Sequence, residues 1–140
     1  MVYLDSSALV KLAVDEAESS QLHTAINRWG DVVTSLISQI ELFRAVYRAT
    51  AGMARRGNSS HGDQLRDRAR TVLSRITLLA LDQQVVGLAE AIQPFSLRSL
   101  DAIHLATALS IGELEALVTY DNRLAEAAAA NGLTVLAPGR

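Results

Sequence analysis

Val2-Tyr3-Leu4-Asp5-Ser6-Ser7-Ala8-Leu9-Val10-Lys11-Leu12 decides the fold. Three apolar residues end at an acid, and the acid passes without a linker into a run of helical periodicity with a serine cap available. A strand followed directly by a helix is the opening of a βα unit, and the rest of the chain repeats the alternation. A second helix is expected from about Glu18 to Trp29, stopped by Gly30, and a second strand over Asp31-Val32-Val33-Thr34. Ser35 to Ala51 carries apolar residues at Leu36, Ile37, Ile40, Phe43, Val46 and Tyr47, the pattern of a long amphipathic helix that Gly52 ends.

Residues 52–62, with three glycines and several small polar residues, mark one flexible connection. A basic helix follows from Asp63 to Ser74, a strand from Ile76 to Leu81, and a helix from about Asp82 to Ile92 closed by Pro94. Ser99 then caps a helix that is apolar on most sides and ends at Gly112, which places it centrally. Ala116 to Tyr120 makes a fourth strand, Asn122 to Ala130 an alanine-rich helix, and Leu133 to Leu136 a fifth strand. Short apolar strands alternating with helices imply right-handed crossovers and a mostly parallel sheet covered on both faces. At 140 residues the size fits a single domain, residues 1–140, with one sizeable core.

Ligands of such sheets bind beyond the carboxyl ends of the strands, where the strand order switches direction. Asp5 and Asp121 stand at strand ends, Glu41 near the first turns of the third helix, and Asp101 in the first turn of the central helix. Each has a modest explanation alone: Asp5 and Asp121 as helix caps, Glu41 as part of a capping box with Ser38, Asp101 as an acid favoured by a helix dipole. Four acids at one sheet edge repel one another strongly in a partly dry pocket, and the remedies are raised pKa values or bound cations. Carboxylates without cysteine and without paired histidines select hard cations, Mg²⁺ or Mn²⁺, which serve phosphoryl chemistry. His104, three residues after Asp101, reads as a satisfied helical histidine rather than a ligand.

Composition narrows the classes further. The chain has no cysteine, which excludes disulfides and thiolate chemistry and fits a reducing compartment. Met1 leads straight into the first strand and no apolar run is long enough for a bilayer, so no signal peptide and no membrane anchor are expected and the location is read as cytoplasmic. Aromatics make up only 4%, which disfavours base-stacking platforms. The net charge of −2 hides an asymmetry: between Arg44 and Arg75, eight arginines stand against two aspartates, a local +6 that leaves −8 for the remainder. Such a segment suits phosphate contacts or an acidic partner, or is a solvated hairpin with intrahelical pairs to Asp63 and Asp67.

Taken in order, Tyr3-Leu4-Asp5-Ser6-Ser7, Ser35-Leu36-Ile37-Ser38-Gln39-Ile40-Glu41, Ser99-Leu100-Asp101-Ala102-Ile103-His104-Leu105-Ala106 and Leu117-Val118-Thr119-Tyr120-Asp121 resemble the PIN-domain ribonucleases, and within them the VapC-type toxins of bacterial toxin–antitoxin pairs. The resemblance covers almost the whole chain. It implies a PIN-like three-layer α/β/α sandwich, Mg²⁺- or Mn²⁺-dependent endonucleolytic cleavage of RNA, a homodimer, and inhibition by a cognate VapB-type antitoxin. On it, Asp5, Glu41, Asp101 and Asp121 are the catalytic and metal-binding acids, with Ser6 or Ser7 and Thr119 as supporting hydroxyls. Many members carry a further acid where this chain has Leu124. The helix pair after the second strand is then part of the antitoxin groove. Arg44 and Arg98, with Arg48 nearby, are contacts for RNA phosphate or an antitoxin acid.

Other classes fit less well. A response-regulator receiver needs an adjacent acidic pair early and a lysine late, yet Asp5 has no acidic neighbour and Lys11 is the only lysine. A haloacid-dehalogenase phosphatase needs an aspartate two after the first, where Ser7 stands. A non-catalytic PIN-fold interaction module for RNA or protein is the alternative that motifs alone leave open.

Overall fold

A computed structural model describes residues 1–51 and 59–140. Its central strand, β1 (Val2–Leu4), has every side chain buried, as suits the middle of a parallel sheet covered on both faces. β2 (Val32–Ser35), β3 (Thr77–Leu79), β4 (Ala116–Val118) and β5 (Val135–Leu136) complete a five-stranded sheet of order β3-β2-β1-β4-β5. Every pairing is parallel.

The two-residue period of the strands sorts side chains between two cores. Tyr3 pairs in register with Val33 and Leu117, and all three face a cluster holding Leu105, Ala108, Leu124 and Ala127. Val2 and Leu4 point the other way, into a cluster with Leu9, Leu22, Leu42, Val46 and Leu65. That first core belongs to helices α1 (Ser6–Ala13), α2 (Ser19–Ile26), α3 (Ile37–Thr50) and α4 (Ser59–Leu73). On the opposite face lie α5 (Gln83–Ala91), α6 (Ser99–Leu109) and α7 (Asn122–Ala130), with α5 packed on α6. The result is the expected α/β/α sandwich.

From β1 the sheet grows outward through β2 to β3, whereas from β4 it grows in the other direction to β5. Neighbouring strands β1 and β4 therefore send their following helices, α1 and α7, to opposite faces. The crevice this opens at their carboxyl ends is the topological switch point.

Three local expectations are revised. Ser35 ends β2 instead of opening a helix, and α3 starts at Ile37 without a side-chain cap. Arg98, not Ser99, occupies the cap position of α6, again without a side-chain bond. α4 begins at Ser59, so His61 and Gly62 are helical, while residues 52–58 of the expected connection lie outside the described residues. Gly62 is buried within α4, facing Thr50 of α3, and does not break the helix.

The arginine-rich segment is partly neutralised within the fold. Arg66 pairs with Asp63 and Arg70 with Asp67, each three residues apart, and Arg68 reaches Asp15 at 3.0 Å. Arg44, Arg48 and Arg75 are exposed.

Candidate active site

Asp5 stands at the centre of the crevice. It is the N-cap of α1 and accepts from the Ala8 backbone N–H at 2.9 Å, yet it is only 3% exposed. Thr119 Oγ1 donates to its Oδ2 at 2.6 Å, and Ser7 Oγ reaches both carboxylate oxygens at 2.7 and 2.9 Å. Both hydroxyls are oriented from behind: Ser7 Oγ accepts from the Tyr120 N–H at 2.8 Å and Thr119 Oγ1 from the Asp121 N–H at 3.0 Å. Their own protons are thus directed to Asp5. Ser6 makes no such bond among the described residues, so Ser7 is the hydroxyl that supports this carboxylate. Burial still pushes the Asp5 pKa above the carboxylate range, with Thr119, Ser7 and the Ala8 N–H holding it down in part.

Glu41, one turn into α3, does not fold back on Ser38. Ser38 Oγ turns inward to Thr34 Oγ1 at 2.6 Å, and Glu41 Oε2 meets His104 Nε2 at 2.7 Å. The other ring nitrogen of His104, Nδ1, is 2.7 Å from the Tyr3 hydroxyl, whose oxygen also accepts from the Ser35 N–H at 3.2 Å. His104 and Tyr3 are both buried, and burial pushes the phenol pKa well up, so Tyr3 remains protonated. Ser35 Oγ is buried without a hydrogen-bond partner among the described residues.

Asp121 is the N-cap of α7: its Oδ1 accepts from the backbone N–H groups of Arg123 and Leu124 at 2.8 and 3.1 Å. Leu124 itself is fully buried in the second core. Asp101, half-buried in the first turn of α6, has a raised pKa for three reasons in sequence: burial, the negative charge of Asp121, and more weakly that of Asp5, with His104 and Arg98 opposing. Asp101 therefore lies within the field of both Asp121 and Asp5. Glu41 joins them through His104, which also lowers the Asp5 pKa.

Among the described residues no three His, Asp or Glu side chains converge as a ready ligand cluster. The donor set nevertheless fits a hard divalent cation. It consists of carboxylate oxygens, and Asp5 has no cationic hydrogen-bond partner among the described residues. Asp101 is held above its ordinary pKa by burial and then by the neighbouring negative charge of Asp121, which a cation would offset. Arg98 lies near enough to Asp101 to lower its pKa, and Arg44 is exposed three residues along α3 from Glu41.

The sequence named the four acids and, by resemblance, Ser6 or Ser7 and Thr119 as candidates, but not the Tyr3–His104–Glu41 connection. Its one visible signal is polar groups in runs otherwise apolar: Tyr3 in the first strand and His104 in the central helix.

A fold and an acidic crevice of this kind define a class, and comparison with known proteins agrees. The PIN domain family model matches residues 2–130. Ribonuclease VapC46 of Mycobacterium tuberculosis is 41% identical over 138 residues, covering 98% of this chain and 97% of the relative. Ribonuclease VapC35 of the same species is 42% identical over 148 residues, 100% of this chain and 98% of the relative. Among solved structures, Mycobacterium tuberculosis VapC20, described as a toxin that cleaves the sarcin–ricin loop, superposes with a TM-score of 0.73 at 14% identity, covering 99% of this chain and 100% of that one. The chain belongs to the PIN-domain family, in its VapC branch. No helix among the described residues is long and apolar enough to cross a membrane.

Proposed function

We propose that this protein, acting as one domain over residues 1–140, is a Mg²⁺- or Mn²⁺-dependent endoribonuclease and the toxin of a type II toxin–antitoxin pair. What supports the reading is Asp101 lying in the field of Asp121 and Asp5 beside the β1/β4 switch point, in a chain 41% identical to a named VapC ribonuclease. Asp5, Glu41, Asp101 and Asp121 hold the cation. A divalent ion bound there supplies Lewis acidity toward water and a phosphate oxygen.

The chain's own residues do the positioning. Ser7 and Thr119 keep Asp5 in one rotamer and favour its ionised form. The α7 N–H groups take Asp121 Oδ1 and so fix the direction of its carboxylate toward the crevice rim. Arg98, beside Asp101, and Arg44, on the Glu41 helix, meet RNA phosphate or an acid of a VapB-type antitoxin. The antitoxin reading gains support from a groove between α2 and α4 lined by Leu12, Ile26, Val72 and Ile76 together with His23 and Arg68. It mixes apolar surface with charge, as a segment from a partner chain requires. A cytoplasmic homodimer is proposed on the family resemblance.

Incubation of the purified protein with single-stranded and structured RNA in Mg²⁺, Mn²⁺ or EDTA tests the reading. Cleavage is expected with either metal and not in EDTA, and it is lost in Asp5→Asn. Antitoxin binding with no RNA cleavage under any metal condition favours the non-catalytic interaction module instead.

A further inference from the structure

Resting on the ribonuclease reading, we infer that His104 is a positioning residue: it fixes the Glu41 carboxylate for cation binding, at the end of a hydrogen-bond chain that starts at the Ser35 backbone and passes through Tyr3. Both ring nitrogens of His104 are held. The Tyr3 oxygen, one lone pair of which takes the Ser35 N–H at 3.2 Å, stands 2.7 Å from Nδ1. Nε2 lies 2.7 Å from Glu41 Oε2, and since an ionised carboxylate only accepts, Nε2–H is the donor. The four groups come from β2, β1, α6 and α3, so the core itself sets the direction in which Glu41 points.

Glu41 needs such a hold. It is half-buried on a helix without other hydrogen bonds among the described residues, and ordering a free glutamate costs rotamer entropy. Oε2 is taken by His104, while Oε1 has no donor among the described residues and stays available. A histidine present only to fill the core is a poor account, because an imidazole 1% exposed requires partners on both nitrogens where a leucine requires none. Here one of those partners is an acid of the site rather than a backbone carbonyl. Outer-shell partners of this kind change metal affinity or activity about 10- to 100-fold.

Direct Mn²⁺ binding, followed by electron paramagnetic resonance of the free ion at fixed pH, tests this without relying on catalysis. His104→Leu is expected to weaken Mn²⁺ binding about 10-fold or more with KM for RNA little changed. His104→Gln, whose amide N–H can take the place of Nε2–H, retains most of the affinity. In a Glu41→Gln background His104→Leu adds little, since the residue acts through Glu41. A folded His104→Leu protein with wild-type Mn²⁺ affinity, or losses that simply multiply in the double variant, overturns the inference. If His104→Leu does not fold, Tyr3→Phe decides: it keeps the imidazole but removes the hydroxyl that holds Nδ1, and unchanged Mn²⁺ affinity there overturns the inference as well. Wild-type protein that binds no Mn²⁺ brings down the ribonuclease reading itself, a result distinct from an effect confined to the variants.

Discussion

Replacing Thr119 by valine removes a hydroxyl with little change in volume, and the structure states what that hydroxyl does. It donates to Asp5 Oδ2 at 2.6 Å and accepts from the Asp121 N–H at 3.0 Å. A hydrogen bond to a charged group contributes about 1.5–3 kcal/mol. The Asp121 N–H also loses its acceptor, at a half-buried position. We expect a loss of about 2 kcal/mol where Asp5 is ionised. For 140 residues that is a fall in Tm of roughly 6 °C.

The cost depends on pH with a definite sign. Burial holds the folded Asp5 pKa above its unfolded value, so the folded state binds the extra proton and stability is lost as pH rises from the unfolded carboxylate range through the folded pKa. Thr119 is the largest of the groups opposing that rise. In Thr119→Val the folded pKa climbs further and the loss continues to higher pH. The variant's deficit is therefore small where Asp5 is protonated and grows above it. Urea unfolding in EDTA over a series of pH values from acid to alkaline, with Thr119→Ser as the variant that keeps the hydroxyl, measures this. A deficit that does not grow anywhere along the series refutes the argument that Thr119 stabilises an ionised Asp5.

Three further outcomes follow from the same geometry. Asp121→Asn keeps a good helix cap but removes the second cause of the raised Asp101 pKa, so the metal-free protein gains stability at neutral pH and not at acid pH, while metal-dependent cleavage falls; loss of stability at neutral pH contradicts this. Saturating Mn²⁺ stabilises the fold, by about 2.7 kcal/mol at a hundredfold excess over Kd, more at high pH than at low because protons compete for the same oxygens, and Asp5→Asn abolishes the Tm shift. Arg44→Glu, at an exposed position, leaves Tm nearly unchanged but reduces RNA cleavage or antitoxin affinity; both remaining at wild-type levels removes Arg44 from the proposed contacts.

What could be read in advance is what depends on neighbours in sequence. β1 and its acid, the α1 cap and the two-residue sorting of Tyr3 against Val2 and Leu4 are local, and they suffice for a parallel sheet with Asp5 and Asp121 at one edge. Ser38 carried a valid capping-box signal toward Glu41, but a buried bond to Thr34 Oγ1 claims its hydroxyl. Gly62 carried a breaker signal, yet it lies inside α4, buried against Thr50. The Glu41–His104 and His104–Tyr3 bonds join residues 63 and 101 positions apart, and no periodicity encodes such a pairing. The arginine-rich segment looked like one continuous field. Ion pairs of Arg66, Arg68 and Arg70 leave Arg44 and Arg48 as its exposed members on α3.

The central claim is that these acids hold a divalent cation, and anomalous diffraction from a Mn²⁺-soaked crystal tests it most directly. The account predicts a peak at the carboxyl ends of β1 and β4 with carboxylate oxygens of Asp5 and Asp101 bound to the ion and Glu41 still bonded to His104. A well-diffracting crystal at saturating Mn²⁺ with no peak in that crevice, or with the ion bound elsewhere, contradicts it.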